Sequence, residues 1–231
     1  MGRAGLRLAL AAGLFMSAAG VQSADKLWIL TGEVYEDNYY VGLGALIPFP
    51  KSTLGNGWVQ RYWVDSFTYG YEGATQHIDA NVYGAEAMAG YQTSRPGHSG
   101  ALYLGVRYAN TGLNPDDPGN DASGDQLWLK LLAEGEVALG SDWRANGIVS
   151  YTLGLNGYWT RARLLRSIGN NLYLGPEAIA QGDPSYNAQK LGLVFGGMRV
   201  FPNTFLAVKA GYRFQSDANA YYAGVELVGL F

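Results

Sequence analysis

The residues able to do chemistry in this chain are few. There are two histidines, His77 and His98, and no cysteine. A hydrolase needs a base beside its nucleophile. His98 is followed directly by Ser99, so in an extended chain their side chains point to opposite faces. His77 lies near a loop with Asp79 close by. Ser66 could face it across a hairpin, but no spacing specifies that contact. The segment Asp116-Asp117-Pro118-Gly119-Asn120-Asp121, with Asp125, gathers carboxylates without the calcium-loop spacing, and reads as a solvated loop. Gly42-Leu43-Gly44 has no helix pattern after it and makes no phosphate loop. Without cysteine there is no disulfide framework and no thiolate metal site. The sequence therefore assigns no catalytic residue, no metal ligand and no cofactor.

The richer set is aromatic. Trp63, Phe67, Tyr69, Tyr103, Trp128, Trp159, Tyr173 and Tyr222 fall on the same faces of their segments as charged residues. Aromatic rings offer flat apolar surface, on which sugar rings stack while Arg and Glu bond their hydroxyls. The plain alternative is that these rings fill an interior or belong to a girdle.

Those side chains must be positioned by strands, because the dominant period is two. Leu102, Leu104, Val106 and Tyr108 alternate with Tyr103, Gly105 and Arg107. Leu127, Leu129, Leu131 and Ala133 alternate with Trp128, Lys130 and Glu134, and Leu206, Val208, Ala210 and Tyr212 alternate with Lys209 and Arg213. Alternation over eight or more residues is the strand signature. Strands are expected near 27–35, 39–47, 58–70, 79–92, 101–111, 126–139, 143–154, 158–166, 171–180, 189–200, 204–214 and 220–231. The weakest are 58–70, with aromatics on both faces, and 171–180, which contains Pro176. Twelve strands are expected, or ten without those two. With the termini on the periplasmic side, short turns fall at Gly140-Ser141-Asp142 and Pro202-Asn203. The longer segments Gly112–Asp125 and Gln181–Ala188 fall outside. Pro48–Gly57 breaks the rule, being long on the periplasmic side.

The composition says what solvent those faces see. Charged residues are 15% and hydrophobic residues 48%, with 33 glycines and 17 tyrosines. Typical domains are about 25% charged. No mature segment reaches the roughly 18 apolar residues of a membrane helix. Aromatics gather near strand ends, at Tyr35, Tyr39, Tyr40, Trp58, Tyr91, Tyr108, Trp143, Tyr151, Tyr158 and Trp159, as in the girdles of membrane barrels. The chain ends in an alternating strand with a terminal Phe231, which resembles the recognition signal of outer-membrane barrels. These features favour an all-β antiparallel transmembrane barrel over a soluble sandwich. Its interior is expected to hold Glu33, Arg61, Asp65, Glu86, Arg107, Lys130, Glu134, Glu136, Arg144, Arg161, Arg163, Glu177, Lys190, Lys209, Arg213 and Glu226. They should pair across strands, since isolated charge there is costly. Side chains readily fill barrels of this size.

At the N-terminus, Arg3 and Arg7 precede the apolar run Leu8–Ala19 and small residues to Ala24, a secretory signal peptide over residues 1–24. The barrel is then residues 25–231. Of 16 basic residues, the two leader arginines are lost, leaving 14 against 19 acidic residues and a net charge of −5. That argues against general nucleic-acid binding.

Several stretches carry a resemblance. They are Pro48-Phe49-Pro50 with Leu54-Gly55-Asn56-Gly57-Trp58-Val59-Gln60-Arg61-Tyr62-Trp63, then Gly90-Tyr91-Gln92 and Asn114-Pro115-Asp116-Asp117-Pro118-Gly119. Further along stand Trp143-Arg144-Ala145 through Ser150-Tyr151-Thr152, and Leu174-Gly175-Pro176-Glu177-Ala178 with Gln181-Gly182-Asp183. In order and spacing they resemble the cellulose biosynthesis protein BcsS family. The resemblance implies an outer-membrane barrel of a Gram-negative bacterium that serves cellulose, an exopolysaccharide, in its synthesis or secretion. The expected role is that of a non-enzymatic accessory. Outer-membrane lipid, a glucan chain and cellulose-synthase secretion components are its expected partners. Arg61, Trp63, Asp65, Trp128, Arg161 and Arg163 are the candidates for glucan contact or lumen gating. A generic small porin or surface adhesin is the alternative, and an outer-membrane hydrolase a third.

Overall fold

The computed structural model describes residues 26–231, except 37, 74, 75, 118, 121, 185 and 216–218. The leader expected over residues 1–24 lies outside the described residues, as does Asp121 of the acidic loop. The strands are β1 (Leu27–Tyr35), β2 (Asn38–Pro48), β3 (Gly57–Glu72), β4 (His77–Arg95), β5 (His98–Asn114) and β6 (Gly124–Leu139), then β7 (Trp143–Thr152), β8 (Gly157–Gly169), β9 (Leu172–Asp183), β10 (Tyr186–Phe201), β11 (Thr204–Gln215) and β12 (Ala220–Leu230). All twelve expected strands form, including the two weakest. Aromatics occur on both faces of β3 because Trp58 and Tyr62 point outward while Trp63 and Phe67 point inward. In β9, Pro176 has no N–H to give. Its pairing with β8 passes from Arg163–Glu177 to Arg166–Leu174 without the pairs between.

Each strand pairs antiparallel with its chain neighbours, and β1 pairs with β12 from Leu27–Leu230 to Tyr35–Tyr222, closing the barrel. Closure removes the unpaired edge that hydrocarbon would not tolerate. Alternation then decides which side each residue faces. In β4 every second residue from Ile78 to Gln92 is buried and the intervening ones are exposed. The exposed set is apolar, with Leu102 at 69% and Leu127 at 68%, joined by Leu43, Val64, Leu104, Leu129 and Leu193. An apolar belt of that extent does not face water. Outward-facing charges such as Glu72, Asp79, Arg95, Asp125 and Arg166 sit at strand ends. Tyr39, Trp58, Tyr91, Tyr108, Trp143 and Tyr151 are exposed there as the expected girdle. Tyr35 and Tyr40 leave that girdle, and Trp159 takes the inward face on which the alternation of its strand had set it. Each falls on the inward parity of its strand and lines the interior.

Lys26 and Phe231 exchange backbone hydrogen bonds at 3.0 Å, so the first and last described residues meet at one end of the barrel. In bacterial barrels that end faces the periplasm. The connections β4–β5, β6–β7, β8–β9 and β10–β11 at this end are tight, and the longest outer connection, 115–123, lies at the other. The expected outer loop at Gln181–Ala188 is instead a tight turn, because β9 runs to Asp183 and β10 resumes at Tyr186.

The long periplasmic connection, residues 49–56, has a structural reason. Phe49 O accepts from Ser52 N at 3.0 Å, and Thr53 and Asn56 exchange bonds at 3.1 and 3.0 Å, forming a miniature hairpin. Gly57, with φ 110°, closes it; a Cβ there would lie 2.6 Å from Ser52 Oγ. The tip turns inward. Leu54, 3% exposed, joins a buried cluster with Leu27, Leu46, Val59, Met88, Tyr103, Leu132, Val228 and Leu230. Gly55 N donates to Gln92 Oε1 at 2.7 Å, Gln92 Nε2 to the Tyr103 hydroxyl at 2.9 Å, and that hydroxyl to Glu134 at 2.8 Å. Leu165, Tyr173, Val194 and Ala207 form a second buried cluster on the strands at the same end. The two clusters form an apolar floor in two patches at the periplasmic end.

Leu54→Ala should therefore cost about 2–5 kcal/mol, the usual range for emptying a buried leucine site. Denaturant unfolding of the refolded barrel would measure it. Phe49→Ala, at the exposed base of the same loop, should leave the midpoint unchanged.

Candidate functional site

Above the floor lies a cavity of about 370 Å³, whose wall descends from Thr111, Thr152 and Asp183 near the outer end to Ile29, Leu46 and Leu132. Its charged wall residues balance, six of each sign: Arg61, Arg107, Lys130, Arg161, Lys190 and Lys209 against Glu33, Asp65, Glu86, Glu134, Asp183 and Glu226. All the charges assigned to the interior from sequence face it.

Two carboxylates act as hubs. Glu86 on β4 stands opposite Trp63 on β3 and Arg107 on β5. It receives Arg61 Nη1 at 2.9 Å, Arg107 Nη1 at 2.7 Å and the Lys130 ammonium. Arg107 also grips Asp65 with both terminal nitrogens, at 2.8 and 2.9 Å. Glu226 on β12 receives Arg163 Nη2 at 2.6 Å, Arg163 Nη1 at 3.0 Å and Arg161 Nη1 at 3.0 Å, with Lys209 Nζ at 3.7 Å. Arg163 Nε donates to Glu177 at 2.6 Å, and Glu33 takes Lys209 at 2.8 Å and Lys190. The β8–β12 and β10–β1 links join strands that do not pair, so they brace the lumen crosswise.

The rings sit against this framework. The Trp63 ring packs against β2, where Gly42 and Gly44 make room; a Cβ on Gly44 would lie 2.2 Å from the ring. Its indole N–H donates to the Tyr40 hydroxyl at 3.1 Å, and the Arg61 guanidinium lies 5.1 Å from its centroid. Arg161 lies 5.8 Å from the Trp159 ring. So the Gly42-Leu43-Gly44 motif is a seat for an indole.

Of the six sequence candidates, Arg61, Trp63, Asp65, Trp128 and Arg161 line the cavity. Arg163 does not. Its side chain is 0% exposed, sealed between Glu177 and Glu226, and it is a brace. Tyr40 was missed as an inward residue. Its parity relative to Gly42 and Gly44 was the available signal. The histidines lie at opposite ends of the barrel. His77 heads β4 at the outer rim, beyond the apolar belt, with Nδ1 2.7 Å from Glu72. That hydrogen bond, with Asp79 adding to it, raises its pKa above the ordinary histidine value. His98 opens β5 at the periplasmic end. Ser66 stands opposite Tyr83 and meets the Tyr39 hydroxyl at 3.2 Å, away from His77. Among the described residues no group of three or more His, Asp or Glu could hold a metal.

The family model of the cellulose biosynthesis protein BcsS matches residues 31–231, a span that includes the floor loop and both hubs. The chain belongs to the BcsS family. No curated sequence relative matches. Similar solved structures include the KdgM porin, with 12% identity over 87% of this chain and 97% of the porin at a TM-score of 0.51. The translocator domain of autotransporter NalP from Neisseria meningitidis aligns at 9% identity over 91% of this chain and 90% of its own, TM-score 0.55. The transport unit of the autotransporter AIDA-I from Escherichia coli aligns at 8% identity over 94% and 93%, TM-score 0.51. At such identities the likeness is one of fold, that of outer-membrane barrels. Within this BcsS barrel the motif Leu54–Trp63 supplies the leucine of the floor loop and the indole that sits on Gly42 and Gly44.

Arg163→Ala leaves two buried carboxylates short of a cation and should cost about 3–5 kcal/mol. Arg163→Lys should lose less but still fall below wild type, because an ammonium cannot copy the three-way fork. Urea midpoints of the refolded variants would rank them.

Proposed function

We propose that this BcsS barrel is a non-enzymatic accessory of cellulose secretion. It reaches the outer membrane of a Gram-negative bacterium on the leader of residues 1–24, and acts there from the cell-surface side without being the conduit. One observation carries the reading: the lumen is a braced cavity over an apolar floor. A chain moving through it would have to displace Leu54 and its neighbours and break the crosswise ion pairs. Breaking a buried pair leaves uncompensated charge at high cost. The partners of this role are outer-membrane lipid around the belt, glucan at the mouth and the secretion components of cellulose synthase.

The alternatives fit less well. A generic porin needs an open path, which the floor opposes. An adhesin would place its function in long outer loops, and only 115–123 has length. A histidine-based hydrolase would need His77 or His98 beside a nucleophile, and each lies at a strand end away from the cavity. A barrel of this fold is compatible with sugar polymers, since a KdgM porin structure contains disordered oligogalacturonate.

Deleting the gene should abolish or strongly reduce cellulose staining of colonies, and plasmid-borne wild type should restore it. His77→Ala with His98→Ala should restore it equally well. Undiminished cellulose in the deletion strain would reject the accessory role, and failure of the histidine variant at normal barrel levels would reject its non-enzymatic character.

A further inference from the structure

The inward face of β3 reads Arg61, Trp63, Asp65, Phe67, Tyr69 and Tyr71, so aromatic rings climb from mid-lumen toward the outer end. Phe67 and Tyr69 lie 6.1 Å apart between centroids with planes 28° from parallel. Tyr69 and Tyr71 lie 6.1 Å apart at 25°, and Tyr40 stands 6.2 Å from Phe67. The top rung is fixed in place: the Tyr71 hydroxyl donates to Asp117 at 2.8 Å and accepts from Asn120 at 2.8 Å, tying it to the longest outer loop. Phe67 and Tyr69 are only partly buried and line the cavity. Trp128 and Trp159 line it too, on β6 and β8.

The chemistry of such a ladder depends on the field around it. An anion-binding lumen would keep cations in excess. Here the wall carries equal numbers of cations and carboxylates, and both hubs are engaged with their own cations. A balanced, internally paired wall offers no net attraction to a polyanion. Apolar ring surface flanked by hydroxyl tips suits a ligand with apolar C–H faces and hydroxyl edges. We propose that the β3 ladder is a docking site for a neutral pyranose chain, of which β-1,4-linked glucose is the fitting class, entering from the outer mouth and stopping at the floor. This rests on the accessory reading, and gives that role a binding site: the barrel holds emerging glucan at the cell surface.

The test is calorimetric titration of the purified detergent-solubilised barrel with cellohexaose, and with a galacturonic acid hexamer as the charged comparator. Cellohexaose should bind saturably and the uronate should not. Phe67→Ala with Tyr69→Ala should weaken cellohexaose binding about tenfold or more, two aromatic contacts' worth. Heat-modifiable migration would verify that this variant is folded. Phe67→Tyr with Tyr69→Phe keeps both rings and should keep the binding, whatever the alanine variant does to stability. No cellohexaose binding, equal binding by the folded alanine variant, or equal uronate binding would overturn the proposal. A deletion strain that loses cellulose although its barrel binds no cellohexaose overturns the ladder and leaves the accessory role standing. Ladder-dependent binding with normal cellulose in the deletion strain supports the site and removes the accessory role.

Discussion

Carboxylates buried inside a narrow barrel set the terms for everything around them. Glu86 and Glu226 cannot stay ionised without cations, and each has three in reach. Because those cations come from strands that are not all neighbours, satisfying the charge also fixes distances across the lumen. Breaking one member would strand the rest, so the arrangement behaves as a unit. The braces cross the lumen beside the cavity. They also fix the backbone positions from which Trp63, Phe67 and Tyr69 project, because Arg61 and Asp65 alternate with those rings on β3.

The floor is a second, apolar solution to the same problem of filling a barrel. Short periplasmic turns are the rule, and residues 49–56 depart from it because their tip, Leu54 and Gly55, is packed as interior. Its hairpin delivers one leucine and one backbone N–H to the lumen, the first to the cluster around Leu27 and the second to Gln92. From Gln92 the polar contacts continue through Tyr103 to Glu134, so floor and cavity wall are mechanically joined. That coupling gives the barrel a rigid base beneath an outward-facing mouth.

Much of this was readable from residue order, for a physical reason. A two-residue period with apolar residues on one face specifies both strand and side, so the strands and the inward charges follow from alternation. Pro176 did not break its strand because only the pairing toward β8 gives way. Parity also placed Trp63 and Trp128. Where parity was set aside for position near a strand end, as at Tyr35 and Tyr40, the reading went wrong. The braces were not legible, because Arg163 meets Glu226 only when strands far apart in the chain face each other across a closed lumen. For the same reason Arg163 resembled a ligand-facing residue in the sequence and is a sealed brace in the fold. The floor loop announced itself only as an anomaly of length, since nothing in its residues says that Leu54 turns inward.

A closed lumen is the condition on which this role for the barrel depends. Purified protein inserted into planar lipid bilayers tests this most directly, by its ionic conductance across the membrane. A braced cavity over an apolar floor predicts insertion without a steady ohmic current. A stable, porin-like open conductance in the wild-type barrel would contradict it.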